Sequence, residues 1–219
     1  LTLNRNNMKQ KHFIDIHKGL NSLFILFLMY YFDSWNNLIA WIYLALHGTY
    51  GYLWILKSKI FPDKQWENKT SIGYGLVIWA GLSLYWISPY IIITGNHMIP
   101  FNIPLYPVYI FFCISLFIFG VFLHFTSDMQ KYISLKLNPG NLIQDGMFQK
   151  VRNTNYLGEL LIYLGFTLLA IDWAPIIALF LFIAIIWIPN MVKKDKSLSR
   201  YPEFENYKKK SYKFIPYIW

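Results

Sequence analysis

Residues 105–125 read LYPVYIFFCISLFIFGVFLHF, a run with no Asp, Glu, Lys or Arg. A helix of that length rises about 30 Å, the thickness of a bilayer's hydrocarbon core, and it satisfies its own backbone polar groups. The stretch therefore predicts a membrane-spanning helix. Working outward, further apolar segments lie at 20–32, 38–56, 72–93, 156–171 and 174–188. The whole chain shares this character, being 56% hydrophobic and only 14% charged, where a soluble domain carries about 25% charged residues. No gap between segments is wide enough for a separate soluble domain of ~100 residues. The expected architecture is all-α: a polytopic membrane bundle of about six transmembrane helices, filling residues 1–219 as a single membrane domain. Segments 20–32, 156–171 and 174–188 fall short of the ~20 residues a span needs. They are expected to be extended by flanking turns, to sit in thinned bilayer, or to pack as incomplete spans.

Charge orders these segments. Of the 20 basic residues, Arg5, Lys9, Lys11 and Lys18 precede the first segment and Lys57, Lys59, Lys64 and Lys69 follow the second. Lys131, Lys136, Lys150 and Arg152 follow the fourth, and the other eight lie after the sixth, from Lys193 to Lys213. The alternate loops carry none, so both termini are expected on one basic face, cytoplasmic or matrix. The formal charge of +9 then reflects orientation and anionic headgroups, and nucleic acid is not an expected partner. Cys113, the lone cysteine, can form no intrachain disulfide and reads as a buried apolar thiol. Residues 1–19 hold no apolar core of signal-peptide length. On the basic face, 57–70 and 127–152 are long enough to be functional or interfacial, the second with Asn138-Pro139-Gly140 as its turn signal.

Glu159 is the only carboxylate well inside an apolar segment, where a charge costs roughly 2.5 kcal/mol or more without a partner or a polar cavity. Arg152, Asn155, Tyr156, Glu159 and Tyr163 stand three or four residues apart, so on a helix they form one polar stripe. His47 and Tyr50 sit in a Gly-containing patch, Leu46-His47-Gly48-Thr49-Tyr50-Gly51-Tyr52. His47 reads first as a satisfied structural histidine, and His47 and Tyr50 are kept as candidate substrate or cofactor contacts because a polar Gly-containing patch inside a bundle often lines a cavity. His124 reads the same way, His97 reads as solvated, and no histidine has a second ligand at metal-binding spacing. The aromatic residues read mainly as interfacial belts and packing, and Lys208-Lys209-Lys210 as a solvated or headgroup-facing tail.

Asp145-Gly146-Met147-Phe148, followed by Arg152-Asn153-Thr154-Asn155-Tyr156-Leu157-Gly158-Glu159, resembles the signature of the steroid 5-alpha-reductase C-terminal superfamily. Phe204-Glu205-Asn206-Tyr207 and Ile215-Pro216 fit that family's ending. The resemblance covers 138–219 as a cofactor-binding region and is closest to an uncharacterised reductase-like branch. It implies a membrane reductase that takes NADPH from the cytoplasmic side and delivers hydride to an activated carbon–carbon double bond of a lipid substrate. Asn155 and Glu159 are then expected to hold the nicotinamide carboxamide, which has both a donor and an acceptor to satisfy. Arg152 and the lysines from Lys193 are expected near the phosphates. Tyr156 and Tyr207 fall within the same cofactor-binding motifs, and Tyr163 with His47 and Tyr50 among the substrate-pocket candidates.

The sequence also departs from that family. Thr154 replaces the motif's usual Pro and Asn153 its usual His; only Lys193, Lys194 and Lys196 stand for the Arg/His-rich stretch after the last helix. No Gln-Glu-Leu-Pro motif occurs in the front half, so the resemblance assigns no general acid. Two rivals share the pattern. One is the S-adenosylmethionine-dependent membrane methyltransferases of the same superfamily, against which Asn155 with Glu159 argues. The other is a noncatalytic accessory subunit of a large membrane complex. The reductase reading implies the endoplasmic reticulum, and the accessory reading the mitochondrial inner membrane.

Overall fold

The computed structural model describes residues 8–102, 104 and 106–219; Arg5 and Leu105, used above, lie outside the described residues. Among the described residues the chain is all-α, with seven helices: α1 Gln10–Tyr31, α2 Leu38–Ile60, α3 Ile72–Thr94, α4 Pro107–Leu137, α5 Thr154–Thr167, α6 Trp173–Leu198 and α7 Phe204–Lys210. Five of them, α1 to α4 and α6, are long and apolar enough to cross a membrane. The chain is an integral membrane protein with five such spans.

The count of six is corrected at the fifth segment. Helix α5 has 14 residues, about 21 Å, and tightens into a 3-10 turn at Leu168–Ala170, so it is too short to cross a bilayer by itself. The other two segments expected to be short are not. Segment 20–32, but for its last residue Phe32, lies within the 22 residues of α1 and segment 174–188 within the 26 of α6, because helical periodicity runs on into their polar flanks. Helix α4 likewise continues to Leu137, taking in eleven residues read as loop; nothing breaks it before Asn138-Pro139-Gly140. Lys18 and Lys57, counted with the loops, lie inside α1 and α2 and are each only 4% exposed. Both ammonium groups sit over the Trp54 ring, at 4.6 and 4.5 Å from its centroid.

Helix ends follow local chemistry. Helix α1 closes with Asp33 in the left-handed region (φ 48°); Ser34 N–H reaches Met29 O and Asp33 N–H reaches Tyr30 O, the paired bonds of a Schellman motif. Asn37 caps α2, its Oδ1 accepting from Ile39 and Ala40 N–H. Pro89 cannot donate to Tyr85 O four residues earlier, and α3 passes through a 3-10 turn at Leu84–Trp86 just before it. The freed Tyr85 O accepts from Tyr43 Oη at 3.3 Å. Pro189 similarly follows a π-helical segment, Ile183–Trp187, in α6.

The described chain forms two compact units, 1–114 with 166–178, and 115–165 with 179–219. In the first, α1 lies against α2 so closely that a side chain at Gly51 would strike the Lys18 carbonyl. Glu67 of the 61–71 loop takes Lys9 and Lys11, and these two bonds hold its carboxyl below the usual glutamate range. Asp172, fully buried, accepts from Met98, Ile99 and Ala174 N–H at 2.7, 3.0 and 2.8 Å, clasping the uncharged loop after α3 to the turn before α6.

Candidate functional site

In the second unit the motif residues are built on the entrance to α5. Asp145-Gly146 turns with Gly146 at φ 53°, and Gln130 from α4 reads that turn, donating to Asp145 O and accepting from Met147 N–H. The positive φ favours glycine at Gly146, and a side chain there would have to displace the Gln130 amide that reads the turn. Thr154, at the helix's first position, turns its hydroxyl to Met147 O and Val151 O at 2.5 and 2.8 Å. The first turn that proline would preset by its fixed φ is here fixed by a side chain.

Arg152 has an internal role. It is 4% exposed, and Nε and Nη2 each lie 3.2 Å from an oxygen of Asp195 on α6. Its Nη1 donates to Ser211 O at 2.6 Å, Ser211 Oγ at 3.0 Å and Lys208 O at 3.4 Å. The guanidinium thus ties α5, α6 and the segment after α7 into one knot. Neighbouring bonds tighten it: Arg152 N–H to Tyr212 O, Tyr212 N–H to Lys150 O, Asn153 Nδ2 to Lys213 O, and Lys194 Nζ to Arg152 O. Tyr207 is buried and donates to Phe148 O at 2.6 Å; burial pushes its phenol above the ordinary tyrosine range. Lys193 is exposed on α6.

One turn further on, α5 divides its faces. Gly158 meets α4: a side chain there would fall on the His124 backbone and Gly120 O, while one at Gly120 would fall on Ile162 N and Gly158 O. The two helices cross glycine on glycine. Tyr156 and Tyr163 turn the other way and pack on Trp187 of α6, ring centroids 5.5 and 6.0 Å apart. At about 100° per residue, Asn155 and Glu159 occupy the arc between these two contacts, where α4 and α6 flank α5. Glu159 is half-buried there. His124 Nδ1 donates to Asn155 O at 3.1 Å, and its Nε2 lies 3.8 Å from Asp128. Asn155 Oδ1 is buried with no hydrogen-bond partner among the described residues.

The first unit holds His47 and Tyr50. Trp86 Nε1, which can only donate, reaches Asn21 Oδ1 at 2.8 Å and so fixes the amide's orientation. Asn21 Nδ2 then donates to His47 Nε2 at 3.0 Å, leaving the ring proton on Nδ1 to reach Tyr43 Oη at 2.9 Å. The His47 ring stacks on Phe166 at 4.4 Å and is 2% exposed, Tyr50 is fully buried, and Lys18 Nζ stands 4.2 Å over the Tyr50 ring. Both nitrogens of His47 are engaged, one by Asn21 of α1 and one by Tyr43 of α2, and these partners in turn bond Trp86 and Tyr85 of α3, a satisfied structural histidine. The patch's Gly48 and Gly51 are helix-contact glycines, facing Ser22 and Lys18 of α1.

Sequence reasoning missed Asp195, the partner of Arg152, and Trp187, the side wall of the stripe. Asp195 sits among lysines and reads as surface charge. Trp187 is one of nine tryptophans and nothing in the sequence singles it out; in the structure it ends a π-helical segment, a feature common at functional sites. Among the described residues no group of His, Cys, Asp and Glu is arranged to hold a metal.

A family model described as 3-oxo-5-alpha-steroid 4-dehydrogenase matches residues 74–219. No curated protein and no solved structure matches the chain.

Proposed function

Since the chain belongs to the 3-oxo-5-alpha-steroid 4-dehydrogenase family, we propose that it is a membrane reductase of a steroid- or enoyl-like lipid double bond that uses NADPH. The observation that carries this reading is Asn155 Oδ1, a buried carbonyl oxygen without a partner among the described residues, next to Glu159 on one face of α5. A buried acceptor left unmade costs about 1–3 kcal/mol, and a carboxamide N–H is the donor it suits. Asn155 and Glu159 thus fit the nicotinamide end of the cofactor. When bound, NADPH supplies the hydride. The protein's part is to bind and orient: the Asn155 amide and Glu159 carboxylate fix the ring face, while the Gly120–Gly158 crossing on one side and Trp187 on the other keep water from the reacting face.

In this reading Arg152 and Tyr207 are positioning residues. They hold the rim on which the phosphates of a bound cofactor would rest, and the phosphate contacts would fall to exposed cations such as Lys193 and Lys196. The α5 N-terminus, with Asn155 in its first turn, lies on the basic side of the membrane, which we assign to the cytoplasm. The engagement of Arg152, Asn153 and Tyr207 in packing also supports the second reading, a subunit that keeps the fold for assembly without turnover.

Glu159→Gln separates the two. It keeps the size but adds a donor where the carboxamide also donates, so NADPH affinity falls by about 1.5–3 kcal/mol, the range for a hydrogen bond to a charged group. Both proteins are titrated with NADPH in one detergent. Folded wild-type protein that shows no binding at millimolar cofactor refutes the reductase reading and leaves the assembly reading.

A further inference from the structure

We propose that the segment from Lys208 to Trp219 is a hook that docks on the anionic headgroups of the bilayer its own helices cross. The hook's underside is fastened. Arg152 holds Ser211 O, Tyr212 pairs with Lys150 and Arg152, Asn153 holds Lys213 O, and Lys213 lies 3.6 Å from Asp195. Phe214 is 4% exposed and meets Trp187 edge-on. These attachments fix its level, because Val151 and Arg152 immediately precede the first turn of α5, where the chain passes from the basic loop into the apolar helix.

Its outer side is open and apolar at the tip. Phe214 and Ile215 N–H both bond Trp219 O, and Trp219 N–H bonds Ile215 O, closing a tight turn. Within it Tyr217 takes φ 65°, a conformation that non-glycine residues adopt only at a cost of roughly 1–2 kcal/mol. The turn throws Tyr217 and Ile218 outward, 89% and 78% exposed. Two large side chains held in water by a strained turn are unfavourable. The same side chains at the edge of a bilayer are stabilised, since Tyr favours the headgroup layer and Ile the acyl boundary.

Charge selects the lipid. Lys208, Lys209 and Lys210 are exposed on α7 in the segment that leads to the tip, Lys213 Nζ stands 4.8 Å over the Trp219 ring, and Lys193, Lys196 and Arg200 are exposed at and just after the end of α6, against exposed Glu203 and Glu205. A cationic surface next to an apolar tip fits an anionic headgroup layer, where each lysine contributes about fivefold in binding. The hook does not depend on the reductase reading.

The test uses the full chain in nanodiscs, with Cys113→Ala and Ile218→Cys carrying an environment-sensitive fluorophore. With phosphatidylglycerol present, the label is expected to be quenched by lipids spin-labelled near the headgroup and shielded from aqueous iodide. Quenching is expected to fall with salt and with Lys208→Gln/Lys209→Gln/Lys210→Gln, which weakens the preference for anionic over zwitterionic lipid by ~100-fold. A label as open to iodide in anionic nanodiscs as in detergent overturns the proposal. Shielding that appears only in native membranes also overturns it, and puts a protein partner on the tip. Tyr217→Cys repeats the measurement at the neighbouring position.

Discussion

Gly158→Ala tests the closest contact on which the candidate site rests. A Cβ at this position lies 2.8 Å from Gly120 O and from His124 Cα, and closer still to His124 N, where ordinary contact begins at 3.4 Å. All three obstacles are backbone, so no rotamer change relieves them, and α4 and α5 must separate by roughly 1 Å. Overpacking of this kind costs about 1–3 kcal/mol, with the upper end expected here because the collision is main chain on main chain. Against it stands the gain of alanine over glycine in a helix, about 0.5–1 kcal/mol. The net expectation is a destabilisation of about 2 kcal/mol, roughly a thirtyfold fall in the folded-to-unfolded ratio. The control is Gly73→Ala in α3, where the added methyl meets only Ser71 Oγ at 4.0 Å, so stability is unchanged or rises by up to about 1 kcal/mol. Unfolding of both variants is followed by tryptophan fluorescence across a denaturant titration in a single detergent. Opposite signs support the crossing. A Gly158→Ala protein as stable as Gly73→Ala refutes it, and with it the placement of Asn155 and Glu159 between α4 and α6.

Arg152→Met removes every guanidinium donor of the knot and leaves Asp195, 12% exposed at its side chain, paired with Lys213; a loss of about 3–5 kcal/mol in unfolding free energy is expected, and less in Asp195→Asn, which keeps an acceptor. If Arg152→Met is as stable as wild type, the segment after α7 is held by something other than this pair. For topology, with α5 and its 3-10 extension returning the chain toward the uncharged face as an incomplete span, cysteines replacing Lys64, Gly140 and Lys209 are each expected to react with an impermeant thiol reagent from one side of the membrane, and one replacing Asn96 from the other. Reaction of Asn96→Cys and Lys64→Cys from the same side defeats the assigned orientation.

Composition and the spacing of apolar runs were enough to show that this chain is helical and lives in a membrane, because a bilayer admits little else and imposes a length that can be counted. The polar stripe of α5 was legible for the same reason: residues three and four apart must share a face, whatever surrounds them. The motif Asp145–Glu159 was legible too, but its division of labour was not. Arg152 looks like a phosphate ligand in the sequence and is a pin in the fold, because its partner Asp195 stands 43 residues away and only tertiary packing brings the two together. His47 read first as a structural histidine, but which groups satisfy it was not legible: Asn21, 26 residues away, and Tyr43 take its two nitrogens. Lys18 and Lys57 read as surface charges and are buried over an indole, since a long side chain can carry its ammonium to a ring that sequence does not place. Sequence periodicity fixes which residues share a face; which face finds a partner, and therefore which polar atoms remain for a ligand, depends on contacts between distant segments and was decided by the tertiary structure alone.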